Sequence, residues 1–392
     1  MNHSWPLIND NIIQEDKDAL IEFLNTPNVR FTNGPRVKEF EKKWSEWLGV
    51  KYSVYVNSGA SANYIMTAIT REMRGVGEII VPPIGWVSDI ASVINTGATP
   101  VFVDVDMKSM SITSENIKKA ITEDTKAIVL VHALGFNGVD EELMQICKDR
   151  DILLIEDCCE SHGATWNGQK VGTFGDMSNF SFYFGHHITT VEGGMVCTDN
   201  KEIYELAKMF RSHGMTREAS QDVREKYENE YPHLNPLFTF AVPGYNLRNS
   251  EMNAVIGLQQ LGRLDYAVQK RTENLNIWLE NLDSDTFFTD YDSEGSSNFA
   301  LPLILRHTDA LAFEKICLIL ENNKVEYRRG TAGGGNQALQ PYLVEGKYDF
   351  RISGDLKCAN HIHHYGLYVG NHTELEKEQI IELCKNLNEV SP

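Results

Sequence analysis

Ile152-Leu-Leu-Ile-Glu156-Asp157-Cys-Cys-Glu160-Ser-His162-Gly163 is an apolar run that ends in carboxylates. Four apolar residues in succession, without polar alternation, suit a strand buried on both faces of a parallel sheet. Glu78-Ile-Ile-Val81, Pro100-Val-Phe-Val-Asp104 and Ala127-Ile-Val-Leu-Val131 have the same character. Residues 60–72, 86–96, 114–121 and 140–150 read as crossover helices. The repeat predicts an α/β fold with a mostly parallel sheet and helices on both faces. A carboxylate at the C-terminal end of such a strand lies where α/β sheets bind ligands. Asp157 is therefore a candidate site residue; the competing reading is a helix N-cap followed by solvated acids.

Working outward, Phe40, Trp44 and Leu48 recur at helical spacing within residues 38–48. Tyr52-Ser-Val-Tyr-Val56 reads as a strand. Asn57-Ser58-Gly59-Ala60-Ser61-Ala62-Asn63 then sets small residues before a helix, where free amides can cradle a phosphate, or where Ser and Asn simply cap. Phe180-Ser-Phe-Tyr183 and Met195-Val-Cys-Thr198 read as strands flanking a loop with His186 and His187. Beyond residue 261 the pattern changes: a helix over 263–282, strand-like runs at Phe287–Tyr291 and Phe299–Leu305, a helix over 309–323, a run at Val325–Arg329 and a helix over 373–389. This predicts a large domain over 1–260 and a smaller α+β domain over 261–392. Residues 216–240 read as a long loop or insertion. Gly330-Thr-Ala-Gly333-Gly-Gly335 lacks the order of a dinucleotide fingerprint and reads as a mobile loop near the substrate.

Composition narrows the class. The chain has 392 residues, 42% hydrophobic and 23% charged, as in an ordinary globular enzyme. No apolar run reaches the roughly 18–20 residues that span a membrane. Met-Asn-His-Ser-Trp-Pro has neither the basic nor the apolar region of a signal peptide. Seven cysteines without regular spacing argue against a disulfide framework or zinc site and for a reducing cytoplasm. A net charge of −19 excludes the basic face that nucleic acid requires. It also opposes anionic ligands, which would depend on local donors; Arg211, Arg217, Arg248, Arg328 and Arg329 are the candidates. The triplet His361, His363 and His364 lacks metal-ligand spacing, so no metal is expected.

Ser181-Phe-Tyr-Phe-Gly-His186-His187-Ile-Thr-Thr-Val-Glu-Gly193-Gly194 resembles the lysine-bearing segment of the DegT/DnrJ/EryC1/StrS family of sugar aminotransferases. Those enzymes use pyridoxal phosphate (PLP) and place a Lys five residues after the Ser. Here that position is His186, as in the dehydratase branch of the family. An imidazole cannot hold the cofactor aldehyde as an imine, yet with an ordinary pKa near ~6.5 it can move protons. The resemblance runs from Gly34 to Asn371 and implies an aspartate-aminotransferase-type fold (fold type I) and a homodimer with shared active sites. It gives the cofactor phosphate to Ser58, Gly59, Ala60 and Ser181, with Asn246 reaching over from the partner subunit. It sets Asp157 against the ring nitrogen, Glu160 near the ring hydroxyl and Trp86 on the ring face, although composition alone favours Trp86 as a core residue. Arg248 and Arg329 are the candidates for substrate binding.

The implied reaction is nucleotide-sugar 3-dehydration, with PLP and pyridoxamine phosphate as cofactor forms and glutamate as amine donor. His186 would remove a proton from the cofactor carbon C4′, and the sugar would lose its C3 hydroxyl. Ammonia and a 3-deoxy-4-keto sugar would leave, on the way to a 3,6-dideoxy sugar of a lipopolysaccharide such as O-antigen. No cysteine lies between Cys197 and Cys317, so the iron–sulfur variant of this chemistry is not expected. The alternatives are a sugar aminotransferase, which would need another anchoring Lys, and a catalytically inactive sugar-binding relative.

Overall fold

The computed structural model describes residues 4–390. Residues 1–3, on which the signal-peptide reading partly rests, lie outside them. After helix α1 (Gln14–Asn25), helix α2 (Pro35–Leu48) opens on a proline in its first turn and stops at Gly49, whose φ of 95° ends the helix. It buries Phe40, Trp44 and Leu48, as their spacing predicts. Strand and helix then alternate: β1 (Tyr52–Val56), α3 (Gly59–Arg74), β2 (Glu78–Val81), α4 (Val87–Asn95), β3 (Thr99–Val103), α5 (Ser114–Ala120), β4 (Thr125–Val131), α6 (Glu141–Arg150) and β5 (Leu153–Asp157). A two-residue hairpin, β6 (Thr165–Trp166) and β7 (Gln169–Lys170), leads to β8 (Met177–Ser181) and β9 (Gly194–Thr198). The first of the two runs flanking the histidine loop thus ends at Ser181, two residues short of Tyr183.

Helices α7 (Lys201–Arg211), α8 (Gln221–Glu230), α9 (Glu251–Leu261) and α10 (Leu264–Asn281) follow. The expected loop over 216–240 therefore contains a helix; α8 buries none of its residues, so no apolar stripe announced it. The remainder is β10 (Ala300–Ile304), α11 (Ala310–Asn322), β11 (Tyr327–Arg329), α12 (Pro341–Val344), β12 (Arg351–Ser353), α13 (Lys357–Tyr365), β13 (Gly366–Gly370) and α14 (Lys377–Leu387). Phe287–Tyr291 is not a strand. Only Phe287 bridges to Leu305, while Tyr291 stacks on Phe136 at 4.8 Å. The run is apolar because its rings pack.

The large sheet has the order β1-β9-β8-β5-β4-β2-β3-β12. β9 runs against both neighbours and the other pairings are parallel. The C-terminal ends of β1, β2, β5 and β8 consequently face the same edge, and each opens into a loop that carries candidate residues. The second sheet, β10-β13-β11, is antiparallel. β12 comes from within residues 261–392 yet pairs Arg351–Ser353 with Val101–Val103 of the large sheet, so sheet pairing crosses the division expected at residue 261. No helix among the described residues is long and apolar enough to cross a membrane.

Candidate active site

Asp157 ends β5 and is almost wholly buried. Its Oδ1 accepts from the Cys159 amide at 2.9 Å, and its Oδ2 from Asn63 Nδ2 at 3.0 Å and Asn179 Nδ2 at 3.1 Å. The neighbouring Glu156 has another task. It is fully buried and accepts from the amides of Gly172, Phe174 and Gly175 at 2.7–2.8 Å and from His132 Nε2 at 3.1 Å. Burial pushes its carboxyl up, but His132 and these amides outweigh it and hold the group below its ordinary range. His132 accepts the Gly138 amide on Nδ1, so Nε2 carries the proton given to Glu156. His132, Glu156 and Cys158 have ligand atoms within 4.8 Å of one another. With the Glu156 oxygens taken by four donors, the trio clamps the loop before β8 to β5.

The small-residue turn is a helix cap, and it leaves two amides available to an anion. Ser58 caps α3, its Oγ accepting from the Ser61 amide at 3.1 Å, which leaves the amides of Gly59 and Ala60 free of acceptors among the described residues. A 16-residue helix starting there presents a positive end to an anion. A Cβ on Gly59 would stand 2.7 Å from Ser181 Cβ, so the turn and the end of β8 are in contact. A Cβ on Gly194 would stand 2.7 Å from the Gly59 amide nitrogen. Gly194 is thus the opening through which the turn approaches β9, while Gly193 makes room for Thr190 and Tyr55.

Trp86 is the N-cap of α4 and remains 58% exposed, so it is not a core residue; its ring is free to cover a ligand. Glu160 is half-buried, accepts the Leu134 amide at 2.7 Å and is pushed up to about 7, by desolvation first and then by the charge of Asp157. Leu134 holds a φ of 54°, a left-handed conformation uncommon for leucine, to aim that amide.

His186 lies in the loop after β8. Its ring centroid is 5.3 Å from Phe299, 6.0 Å from Tyr183 and 6.0 Å from His162, and its Nδ1 is buried without a partner. Burial, then the charge of Arg271, lowers it to about 4, partly countered by Asp157. The ordinary value of ~6.5 expected for a free imidazole therefore does not apply. At neutral pH the ring is an unprotonated base, and once protonated it is a strong acid. His187 points into the core, with Nε2 2.9 Å from Ser297 Oγ.

Asn246 is exposed and its Oδ1 accepts from Arg248 Nε at 3.0 Å. Arg248, Arg211 and Arg217 line one cleft of about 780 Å³ together with Arg30, Lys51 and Lys208, a local cationic wall in an acidic chain. Arg211 is already committed to Glu41 at 2.6 Å. Arg328 and Arg329 pair with Glu326 and Glu314, each at 3.0 Å, and no contact among the described residues joins Arg329 to the Asp157 cluster. The Gly330–Gly335 segment is packed rather than loose: a Cβ on Gly333 would meet Gly85, and the Gln337 amide donates to Pro83 O at 2.8 Å. His361, of the triplet on α13, has Nε2 2.6 Å from Leu305 O.

Sequence reasoning missed Asn179, Asp89 and Arg271 and read Asn63 only as part of the small-residue turn. Asn179 had a signal, since it sits two residues before Ser181 and so shares its face of β8. The residues fit PLP. A helix N-terminus for its phosphate, a carboxylate for its ring nitrogen and a ring to cover it meet at one sheet edge, and no lysine stands in the segment that carries His186.

A model of the DegT/DnrJ/EryC1/StrS aminotransferase family matches residues 10–388. GDP-4-keto-6-deoxy-D-mannose 3-dehydratase of Yersinia pseudotuberculosis is 34% identical over 387 residues, 97% of each chain. The Escherichia coli GDP-4-keto-6-deoxy-D-mannose-3-dehydratase, solved with bound hydrated PLP, superposes with a TM-score of 0.88 at 31% identity over 99% of this chain and 100% of that one. A structure of GDP-4-keto-6-deoxymannose-3-dehydratase with a trapped PLP-glutamate geminal diamine gives 0.86 at 31% identity, over 98% and 100%. A histidine where the family's lysine is expected, on a fold-type I scaffold, agrees with these matches, and the chain belongs to the DegT/DnrJ/EryC1/StrS aminotransferase family.

Proposed function

We propose that the chain is a PLP-dependent nucleotide-sugar 3-dehydratase. It removes the C3 hydroxyl of a 4-keto-6-deoxyhexose, GDP-linked as in the relatives' names, with glutamate as amine donor and 2-oxoglutarate and ammonia as products. The observation that carries this reading is His186, five residues after Ser181, in place of an anchoring lysine. The bound cofactor supplies an amine and an electron-accepting ring. Asp157 would hold the proton on the ring nitrogen, and the Gly59 and Ala60 amides with Ser181 would hold the phosphate. Trp86 would cover one ring face, and Glu160 would serve the ring hydroxyl.

His186, neutral at working pH, would be the base that accepts the proton from C4′ of the bound cofactor. Its imidazolium, disfavoured by burial and by the charge of Arg271, would give the proton up readily, and the departing C3 hydroxyl would be its acceptor. A flexible lysine amine could carry that proton on to the sugar C4. A ring packed against Phe299 and Tyr183 has less reach, so the nitrogen is not retained on the sugar.

The exposed Asn246 is read as completing the phosphate site of a second subunit in a homodimer. Seven free thiols suit the cytoplasm as its location. The test is nitrogen accounting with a panel of nucleotide-linked 4-keto-6-deoxy sugars and glutamate. One ammonia and one 2-oxoglutarate should appear per sugar turned over. An amino sugar without free ammonia would make the chain an aminotransferase, and no turnover would make it a binding protein.

A further inference from the structure

Asp89, in the first turn of α4, has a buried carboxyl group that the reaction as described does not use. Among the described residues it has one hydrogen-bond donor, Asn63 Nδ2, at 2.8 Å from Oδ1. Its Oδ2 is buried without a partner, and a Cβ on Gly85 would stand 3.0 Å from it. The same Asn63 nitrogen donates to Asp157 Oδ2 at 3.0 Å, so one amide bridges both carboxyl groups. That shared nitrogen lies within 3.0 Å of an oxygen of each, so the two carboxyl groups are neighbours across Asn63.

Counting donors settles which one does. Asp157 accepts from three groups, the Cys159 amide, Asn63 and Asn179; Asp89 accepts from one. Two ionised carboxylates sharing one donor, with no cation paired to either among the described residues, would repel in a water-poor setting. The proton goes to the group with fewer donors. Burial, followed by the charge of Asp157, accordingly pushes the Asp89 carboxyl well above its ordinary range.

We propose that Asp89 is a positioning residue for the cofactor ring, donating a hydrogen bond to Asp157 so that Asp157 remains the single carboxylate facing the ring nitrogen. The device rests on the reading of Asp157 given above. It couples the two supports of the ring, because Trp86 caps the same helix whose third residue is Asp89.

The test compares Asp89→Asn, Asp89→Leu and Asp157→Asn in the full chain, reading PLP affinity by absorbance and ring-nitrogen protonation by NMR of PLP labelled with 15N. Asparagine keeps a donor toward Asp157 and an acceptor for Asn63, so Asp89→Asn should bind PLP within about threefold of the unmodified chain, with the ring still protonated. Leucine removes the donor. Asp89→Leu should weaken binding on the order of tenfold or more and shift the 15N signal, as loss of a hydrogen bond to a charged group implies. Asp89→Leu with unchanged affinity and signal would reduce Asp89 to packing. A loss in Asp89→Asn equal to that in Asp89→Leu would mean that Asp89 acts through its charge. Either result overturns the proposal. If Asp89→Leu does not fold, infrared difference spectra of the unmodified holoprotein against Asp89→Asn decide it. The carbonyl stretch of an un-ionised acid should vanish in the variant, and its absence from the unmodified protein refutes the inference. If Asp157→Asn changes neither affinity nor signal, the reading of Asp157 fails first and takes the role of Asp89 with it.

Discussion

His186 and His187 are adjacent and alike in sequence, and packing alone separates their tasks. His187 is tied to Ser297, whereas His186 has one nitrogen buried without a partner and feels the charges of Arg271 and Asp157. His186→Asn should keep PLP affinity and lower dehydration by ~10² or more, as loss of a general base implies. His187→Asn should lower the melting temperature instead. The reverse pattern, in rates and melting curves, would place the catalytic register one residue later. Borohydride reduction of the PLP-loaded protein should leave no cofactor on any peptide by mass spectrometry. pH adds a second check. The folded site holds His186 near 4 against ~6.5 in an unfolded chain. As pH falls from 6.5 toward 4 the unfolded chain takes up a proton that the folded site refuses, so stability declines through that window. His186→Asn should make that part of the melting-temperature profile shallower by one group's share, since burial lowers His162, His187 and His372 as well.

At the scale of elements, the apolar runs over 78–81, 100–104, 127–131 and 152–156 read as strands and are strands, because burial on both faces leaves no room for polar alternation. Asp157, Ser181 and the Ser58 turn were legible for the same reason: each ends or follows such a run. Other elements left no such mark. β12 is Arg-Ile-Ser, a strand only because Val101–Val103 offers it an unpaired edge, and α8 buries nothing. Asn63 and Asp89 lie on different helices, 26 positions apart, and only the packing of α3 on α4 makes them neighbours of Asp157. Two variants test the joints between elements. Gly194→Ala should cost about 1–3 kcal/mol and weaken PLP binding, since the added carbon meets the backbone of the phosphate turn rather than a side chain that can yield. Glu156→Gln should cost on the order of 3 kcal/mol in urea titrations, because four donors lose their buried anion while PLP contacts are untouched.

For the whole molecule, the feature with the widest reach is β12, the strand that residues 351–353 lend to the edge of the large sheet. Until they pair, β3 presents an open row of amides and carbonyls of the kind that recruits other chains. A chain ending at Gln340 retains every residue of the Asp157 cluster yet lacks this cover, and it should aggregate on expression while the full chain remains dispersed, as light scattering would show. Synthesis imposes the same condition on every copy made. At roughly 5–20 residues per second, the ribosome has to reach residue 353 before the large sheet can close its last edge. The nascent sheet therefore waits at the exit tunnel with one flank unsealed, and that interval is when a chaperone would be of most use to it.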